Sequence, residues 1–406
     1  MAITLNPVNA WDMKLAAASE TTFGTTPTPA DAAAFKARFL QCINASLGGA
    51  AQVGIVRAKQ DRGIGRGMTE GFVEGRVEPI EWNVMLAPKT RTANDTPPLE
   101  LALYKAAGLN CQDAGATYTL TPSATPIESS HFASVSLQRW LGSGSAAYQS
   151  EILKGGVCRS LKFEGGDKEL ILTASGAGVA KQSLGAINAL TCASGVDTAL
   201  TLASIEDSYR IGLGYYLVES EVILVTAFTR GSTSITVTRA QLATSGVAHA
   251  AVNAFPYIPA LTSQFTGSPI SEATSSVDLA GVSGVRCISW GFDITSGMDL
   301  LPGETGSQTI QGAKSIRMDA KLNLRLVLSQ QQLTMIGRAN GRPAVACTVN
   351  QGSGTGGLFT IACAQGEIEN FSVPDTTNDV AVVDVGLRLR DSVAGNDMFT
   401  ITLSGS

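Results

Sequence analysis

Residues 157–178 read VCRSLKFEGGDKELILTASGAG, and they decide the fold class. Apolar and polar side chains alternate on either side of Gly165, Gly166 and Asp167, the period-two pattern of half-buried strands. The stretch is therefore expected as strand, tight turn and strand, with the pair at 156–163 and 168–175. Working outward, 75–88 (GRVEPIEWNVMLAP) reads as another strand, and 97–109 (PPLELALYKAAGL) as a short apolar helix. The same order recurs at the far end of the chain. A strand at 313–329 (AKSIRMDAKLNLRLVLS) is followed by a helix at 330–339 (QQQLTMIGRA) and a strand pair at 359–371 and 380–390. Strand, helix and β ribbon, repeated after a long intervening segment, imply duplication of one module.

The composition narrows the function classes. Charged residues make up only 16% of the 406 residues, and there are 43 Gly. Soluble domains average about 25% charged. A surface so poor in charge fits a protein covered by partner subunits. The net charge of −5 gives no support to tight wrapping of nucleic acid, which needs a clustered basic face. The cysteines at 42, 111, 158, 192, 287, 347 and 363 are odd in number and never spaced CxxC, so buried reduced thiols are expected. The first residues, MAITLNPVNAWDMK, lack a basic stretch followed by an apolar core, so no signal peptide is expected and synthesis in the cytoplasm is. No apolar run reaches the roughly 18 residues of a membrane helix, and no membrane partner is expected.

Five segments follow from texture. Residues 1–34 are polar and Pro-punctuated (TTFGTTPTP at 21–29), and are expected as an extended arm lying on a neighbouring subunit. Residues 35–185 form the first module. Within them, 60–70 (QDRGIGRGMTE) is a Gly- and Arg-bearing loop, with Arg62, Gly63, Gly65, Arg66 and Gly67 as candidate stacking contacts. Residues 186–260 carry short strands at 200–202, 215–218, 221–226 and 234–239, a small all-β domain inserted in a surface loop. Residues 261–284 read as a Ser/Thr-rich linker, and 285–406 as the second module. The fold expected is mainly β: two related sandwich or barrel-forming modules, each with a short helix, plus the inserted domain.

No catalytic constellation stands out in the sequence. His131 and His249 are the only histidines, no GxSxG elbow is present, and neither has a local catalytic setting. GIGRG at 63–67 lacks the Lys-Ser/Thr of a phosphate loop. The acidic pairs Glu78/Glu81, Glu164/Asp167 and Glu367/Glu369 lack the aromatic cluster of a sugar site, and Asp293–Asp299 lacks calcium-loop spacing. No catalytic, metal or cofactor residue is assigned.

Residues 157–178, the segment SETTFGTTPTP at 19–29, the helix PPLELALYKAAGL and AGNDMFTITL at 394–403 together resemble the major tail (tail tube) proteins of long-tailed, non-contractile bacteriophages. The likeness spans most of 11–185 and 284–406. It implies rings of β modules whose inner strands join into one barrel, stacked into a tube through loops and arms. The implied partners are further copies of the chain, a tape-measure protein, and tail-terminator or baseplate proteins. DNA would pass without specific binding on its way into the host, and the chain would reside in the virion tail. With two modules per chain, a trimeric ring with pseudo-sixfold symmetry is expected in preference to a hexamer.

In such a barrel alternate residues face the channel. Glu74, Arg76 and Glu78 on one strand, and Asp319, Lys321 and Arg325 on another, are the candidate lumen-facing residues. Residues 215–254 resemble a small β module of phage structural proteins that reads VTRG-x-x-x-T-x-x-x-AH-x-A, which implies decoration of the tube exterior. Ala240 replaces its Gly, so a different turn is expected after Arg239. Other readings are a capsid decoration or baseplate subunit, a carbohydrate-binding β-sandwich protein and, more remotely, a hydrolase.

Overall fold

A computed structural model describes residues 13–48, 53–57, 73–77, 79–88, 98–115, 117–142, 149–259, 270, 275–302, 310–327, 344–353, 357–372, 375–377, 380–392 and 395–404. The fold is mainly β. The first part of the chain contributes β1 (Met13–Ser19), helix α1 (Ala32–Lys36), β2 (Phe39–Leu40), β3 (Cys42–Ser46), β4 (Val53–Arg57), β5 (Val73–Val77) and β6 (Ile80–Leu86). Helix α2 (Leu101–Ala106) leads to β7 (Asn110–Asp113), β8 (Thr117–Thr121), β9 (Val135–Leu141), β10 (Gln149–Gly166), β11 (Ile171–Gly178) and β12 (Ala180–Gly185). A middle region follows with β13 (Ile187–Cys192), β14 (Ala199–Thr201), helix α3 (Asp207–Arg210), β15 (Gly214–Val218), β16 (Glu221–Phe228), β17 (Ser234–Thr238) and β18 (His249–Pro256). The last part holds β19 (Ser276–Leu279), β20 (Val282–Thr295), β21 (Met298–Pro302), β22 (Ile310–Ser315), β23 (Asp319–Val327), β24 (Val345–Ser353), β25 (Gly357–Phe371), β26 (Asp375–Thr377), β27 (Val380–Leu389) and β28 (Thr400–Ser404).

The first and last parts repeat the same pairings. In the first, β1 pairs with β2 and β9, β9 with β10, β10 with β12 and β11, β11 with β6, and β6 with β3. In the last, β19 pairs with β20 and β24, β24 with β25, β25 with β28 and β27, β27 with β23, and β23 with β20. A two-stranded hairpin interrupts each at the same point, β4–β5 and β21–β22. Each part closes on itself as a barrel.

Up to Phe371 the registers match to the residue, bulges included, and beyond it the second barrel carries one extra residue before Asp375 opposes Val382. Leu153 opposes Leu137 and Gly156 opposes Val135, just as Cys363 opposes Cys347 and Gly366 opposes Val345. A second bulge falls between Cys158 and Ser160 and recurs between Ile368 and Asn370. A third lies between Cys42 and Asn44 and recurs between Cys287 and Ser289. At this last bulge both thiols approach the same carbonyl, Cys42 Sγ to Met85 O at 3.5 Å and Cys287 Sγ to Arg325 O at 3.6 Å. Bulges bend a strand at one fixed place, so three coincident bulges specify the same curved barrel twice.

Several sequence boundaries shift. Residues 13–19 are a strand of the first barrel, not part of an arm, because Leu15, Ala16 and Ala17 are buried against β9 and β2. The Pro-rich stretch after it is pinned to its own barrel. Glu20 accepts from Ser134 Oγ (2.6 Å), Ser136 Oγ (2.5 Å) and Gly155 N (3.0 Å), and Arg38 donates to Pro27 O at 2.7 Å. The single strand expected at 75–88 is two, ending at Val77 and restarting at Ile80, because Pro79 has no N–H for a ladder. The strand expected at 313–329 likewise divides between β22 and β23. The linker expected up to 284 contains β19 and the start of β20, with Val277 and Leu279 buried. The helix expected at 330–339 lies outside the described residues.

β13–β18 close as a six-stranded barrel of their own. This unit forms the connection between the two copies, running from β12 to β19, and is not lodged in a loop of one module. Its core shares Ile152 and Leu184 with the first barrel, and Phe35, Phe39 and Trp140 pack near Tyr215 and Tyr257. A Cβ on Gly176 would sit 1.9 Å from Val157 O, whereas one on Gly291 would meet nothing within 4 Å. Gly176→Ala should therefore cost about 3 kcal/mol or more and Gly291→Ala little, as chemical denaturation of the two variants will measure.

Candidate assembly interface

The two barrels are joined by a ladder between β10 and β20. Ser160 opposes Thr295 and the pairing runs without a break to Gly166 opposite Ser289. Ile288 O accepts from Asp167 N (2.8 Å) and Ser296 N donates to Arg159 O (2.9 Å), so the even-numbered residues of β20 turn their backbone toward β10. The result is one continuous antiparallel sheet, β3–β6–β11–β10–β20–β23–β27–β25.

Side chains close the seam. A Cβ on Gly165 would fall 2.6 Å from the Trp290 ring, and one on Gly166 would lie 2.3 Å from Ile288 O. The two glycines, read in sequence as a turn, lie inside the strand and admit this close approach. Gln351 completes the joint from β24. Its Oε1 accepts from Gly166 N (3.0 Å) and Trp290 Nε1 (3.1 Å), and its Nε2 donates to Lys168 O at 3.1 Å. Beneath, Phe163 of the first barrel meets Phe292 and Phe359 of the second at 6.4 and 5.2 Å between ring centres.

The ends of this sheet are the two strand edges that correspond to the seam. Among the described residues β3 pairs only with β6. Beyond Gly366, β25 and β26 likewise pair, among the described residues, only with β27. By register Cys42-Ile43 corresponds to Cys287-Ile288 and Ala45 to Trp290. Ile43 is 53% exposed on the open edge. The Ala45 carbonyl accepts from Arg139 Nη1 at 3.2 Å, and Gly48 O accepts from Lys181 Nζ at 2.7 Å. Both cations also pair with Glu151, Lys181 at 3.1 Å, while Arg139 Nε is buried without a partner. The second barrel has the fully buried pair Val349 and Ile361 where the first has Arg139 and Glu151.

The outer face of the sheet is charged and paired within itself. Lys321 lies 3.7 Å from Glu369, Arg325 3.7 Å from Asp384, Arg388 3.2 Å from Asp319, and Lys162 3.2 Å from Glu164. Asp319, Lys321 and Arg325 thus share one face with Asn323, and an open depression there is bordered by Lys162, Asp293, Asn323, Arg325 and Asp384. Glu74 and Arg76 lie on β5, which pairs with β4 as a separate two-stranded sheet. Glu78 and the loop residues Arg62, Gly63, Gly65, Arg66 and Gly67 lie outside the described residues.

The remaining sequence candidates have structural partners. His131 Nδ1 lies 2.9 Å from Ser123 Oγ, and all seven cysteines are free. Burial pushes the Cys42 and Cys111 thiols up to about 12. Glu81 and Asp299 both pair with Arg159 at 2.7 Å. Among the described residues no three His, Cys, Asp or Glu gather as metal ligands.

The middle barrel is centred on Glu221, which sequence reading passed over. It accepts from Arg239 through Nε (2.7 Å) and Nη2 (2.6 Å), from Ala240 N (3.0 Å) and from Val247 N (3.2 Å), and lies 2.9 Å from His249 Nε2. Ala240 holds a left-handed φ of +52°, a conformation that favours Gly. No protein-family model and no curated protein matches the chain.

Burial acts to raise the Glu221 carboxyl, but its hydrogen bonds from Arg239, Ala240, His249 and Val247 outweigh this and hold it well below its ordinary value. A depressed pKa gives stability that is present above the unfolded-state value and lost as pH falls. The middle barrel should therefore weaken from about pH 4.5, the ordinary glutamate value, downward. Glu221→Gln, which strands the buried Arg239 guanidinium, should cost about 3–5 kcal/mol at neutral pH and flatten that acid dependence in thermal melts.

Proposed function

We propose that the chain is a structural subunit of the tail tube of a long-tailed, non-contractile bacteriophage. The observation that carries the reading is the tandem of two like barrels joined strand to strand, with the counterpart edges β3 and β25–β26 left at the ends of the sheet. Such a unit presents a different surface at each end. Head-to-tail contacts of this kind close into rings where the rotation permits and otherwise run on as filaments.

Three chains supply six barrels, so a trimeric ring with pseudo-sixfold symmetry is the assembly proposed. The internally paired charges on the sheet face suit a channel wall past which DNA must slide, because unpaired cations would hold phosphate. The middle barrel would decorate the exterior, and tape-measure, terminator and baseplate proteins would be partners of the finished tube. Purified protein viewed by negative-stain microscopy should form tubes of uniform width, and ring mass should equal three chains. Discrete rings that never stack would favour a baseplate subunit, and isolated monomers at every concentration would overturn the reading. Within assembled tails, Asp319→Lys with Glu369→Lys should leave the tube intact and slow DNA ejection most at low salt. Unchanged ejection there would place this face outside the channel.

A further inference from the structure

The chain carries a template for its own contact with another copy. In the seam, Glu164 faces Gly291. The first barrel places Glu164 opposite Ile171, and the second places Asp375 opposite the corresponding Val382. On the acceptor side Gly291 opposes Asn323, and Ser46 opposes the corresponding Asn83. The partner of Ser46 across a like seam is therefore Asp375.

We propose that β3 of one copy receives β26 (Asp375–Thr377) of a second copy as its antiparallel neighbour, with Ser46, Ala45 and Asn44 opposite Asp375, Thr376 and Thr377, and that the arriving strand displaces Arg139 from the Ala45 carbonyl. Ala45 corresponds to Trp290, an even-numbered residue of β20 whose backbone turns toward β10, so the carbonyl held by Arg139 is one the new strand needs. An edge with its acceptor taken by a side chain is protected against indiscriminate pairing. The displaced guanidinium keeps Glu151 as its partner.

The hairpins argue for the same neighbour. β21–β22 of the second barrel reaches back over the first, with Met298 and Leu300 buried beside Val157 and Ala177, and Asp299 bound by Arg159. Its counterpart β4–β5 would lie in the same way across β25 and β27 of the next copy. This seam rests on the self-assembly in the proposed function, but not on the assembly being a phage tail.

Gly291 turns its backbone away from β10, which makes its pair a non-hydrogen-bonded one. Such pairs bring Cα atoms to about 4.5 Å, within disulfide reach. The full-length double variant Ser46→Cys with Asp375→Cys should give a ladder of covalent oligomers on oxidation, seen on a non-reducing gel. Each single variant, and the displaced pair Ser46→Cys with Thr377→Cys, should give little. An equal ladder from the displaced pair overturns the register. Rings seen by microscopy with no ladder from the matched pair overturn the seam and leave ring formation standing. Single-chain mass at every concentration, with no ladder, overturns ring formation itself. Arg139→Gln should lower the concentration at which rings appear several-fold, with Arg139→Lys intermediate. An unchanged onset in either variant, with the monomer melt intact, overturns the displacement step.

Discussion

The backbone ladder between β10 and β20 is the constraint on which the rest of the molecule depends. It fuses two closed barrels into one sheet and fixes their relative twist. It also determines which side chains must be small. Gly165 and Gly166 are required by the Trp290 ring and the Ile288 carbonyl, and Gln351 is required by the backbone groups that those glycines leave at the joint. A buried amide with both ends satisfied makes such a joint specific as well as stable. The tilted contact of Phe163 with Phe359 then carries one hydrophobic core from barrel to barrel.

The two copies have diverged most where their surroundings differ. Arg139 and Glu151 stand beneath an open edge, and Val349 and Ile361 occupy the same places beneath a covered one. A charged pair is tolerable where water still reaches it, as the partial exposure of the Arg139 and Glu151 side chains shows (20% and 12%). Under the covered seam the same pair would bear the full cost of desolvation. The divergence follows burial, and the strand skeleton is retained through it.

Much of this was legible in the sequence, and the omissions have physical causes. The repeated order of strand and ribbon announced a duplication, with the second helix outside the described residues, and the strands of the middle barrel fell close to their observed places. The stronger signals were short identities that the order alone passed over. Cys42-Ile43 and Cys287-Ile288 mark the same bulge, Asn83 and Asn323 sit at the same rung, and Gly156 and Gly366 at the same bend. Residues 13–19 were missed because MKLAAAS buries small side chains, which leave only a weak alternation. The glycines at 165 and 166 were read as a turn because a close approach from a strand more than a hundred residues away leaves no local trace. Glu221 was passed over for the same reason, since its ligands Arg239, Ala240, Val247 and His249 gather only once the barrel closes.

Between the copies, β13–β18 form a folded body of their own. Among the described residues one such body occurs per chain, so successive barrels around any closed assembly would be marked alternately, one bearing the extra unit and the next bare. Image averaging that imposed the symmetry of the barrels would spread that unit over all positions at half its true density. The asymmetry of the linker, and not of the wall, is what would reveal the number of chains.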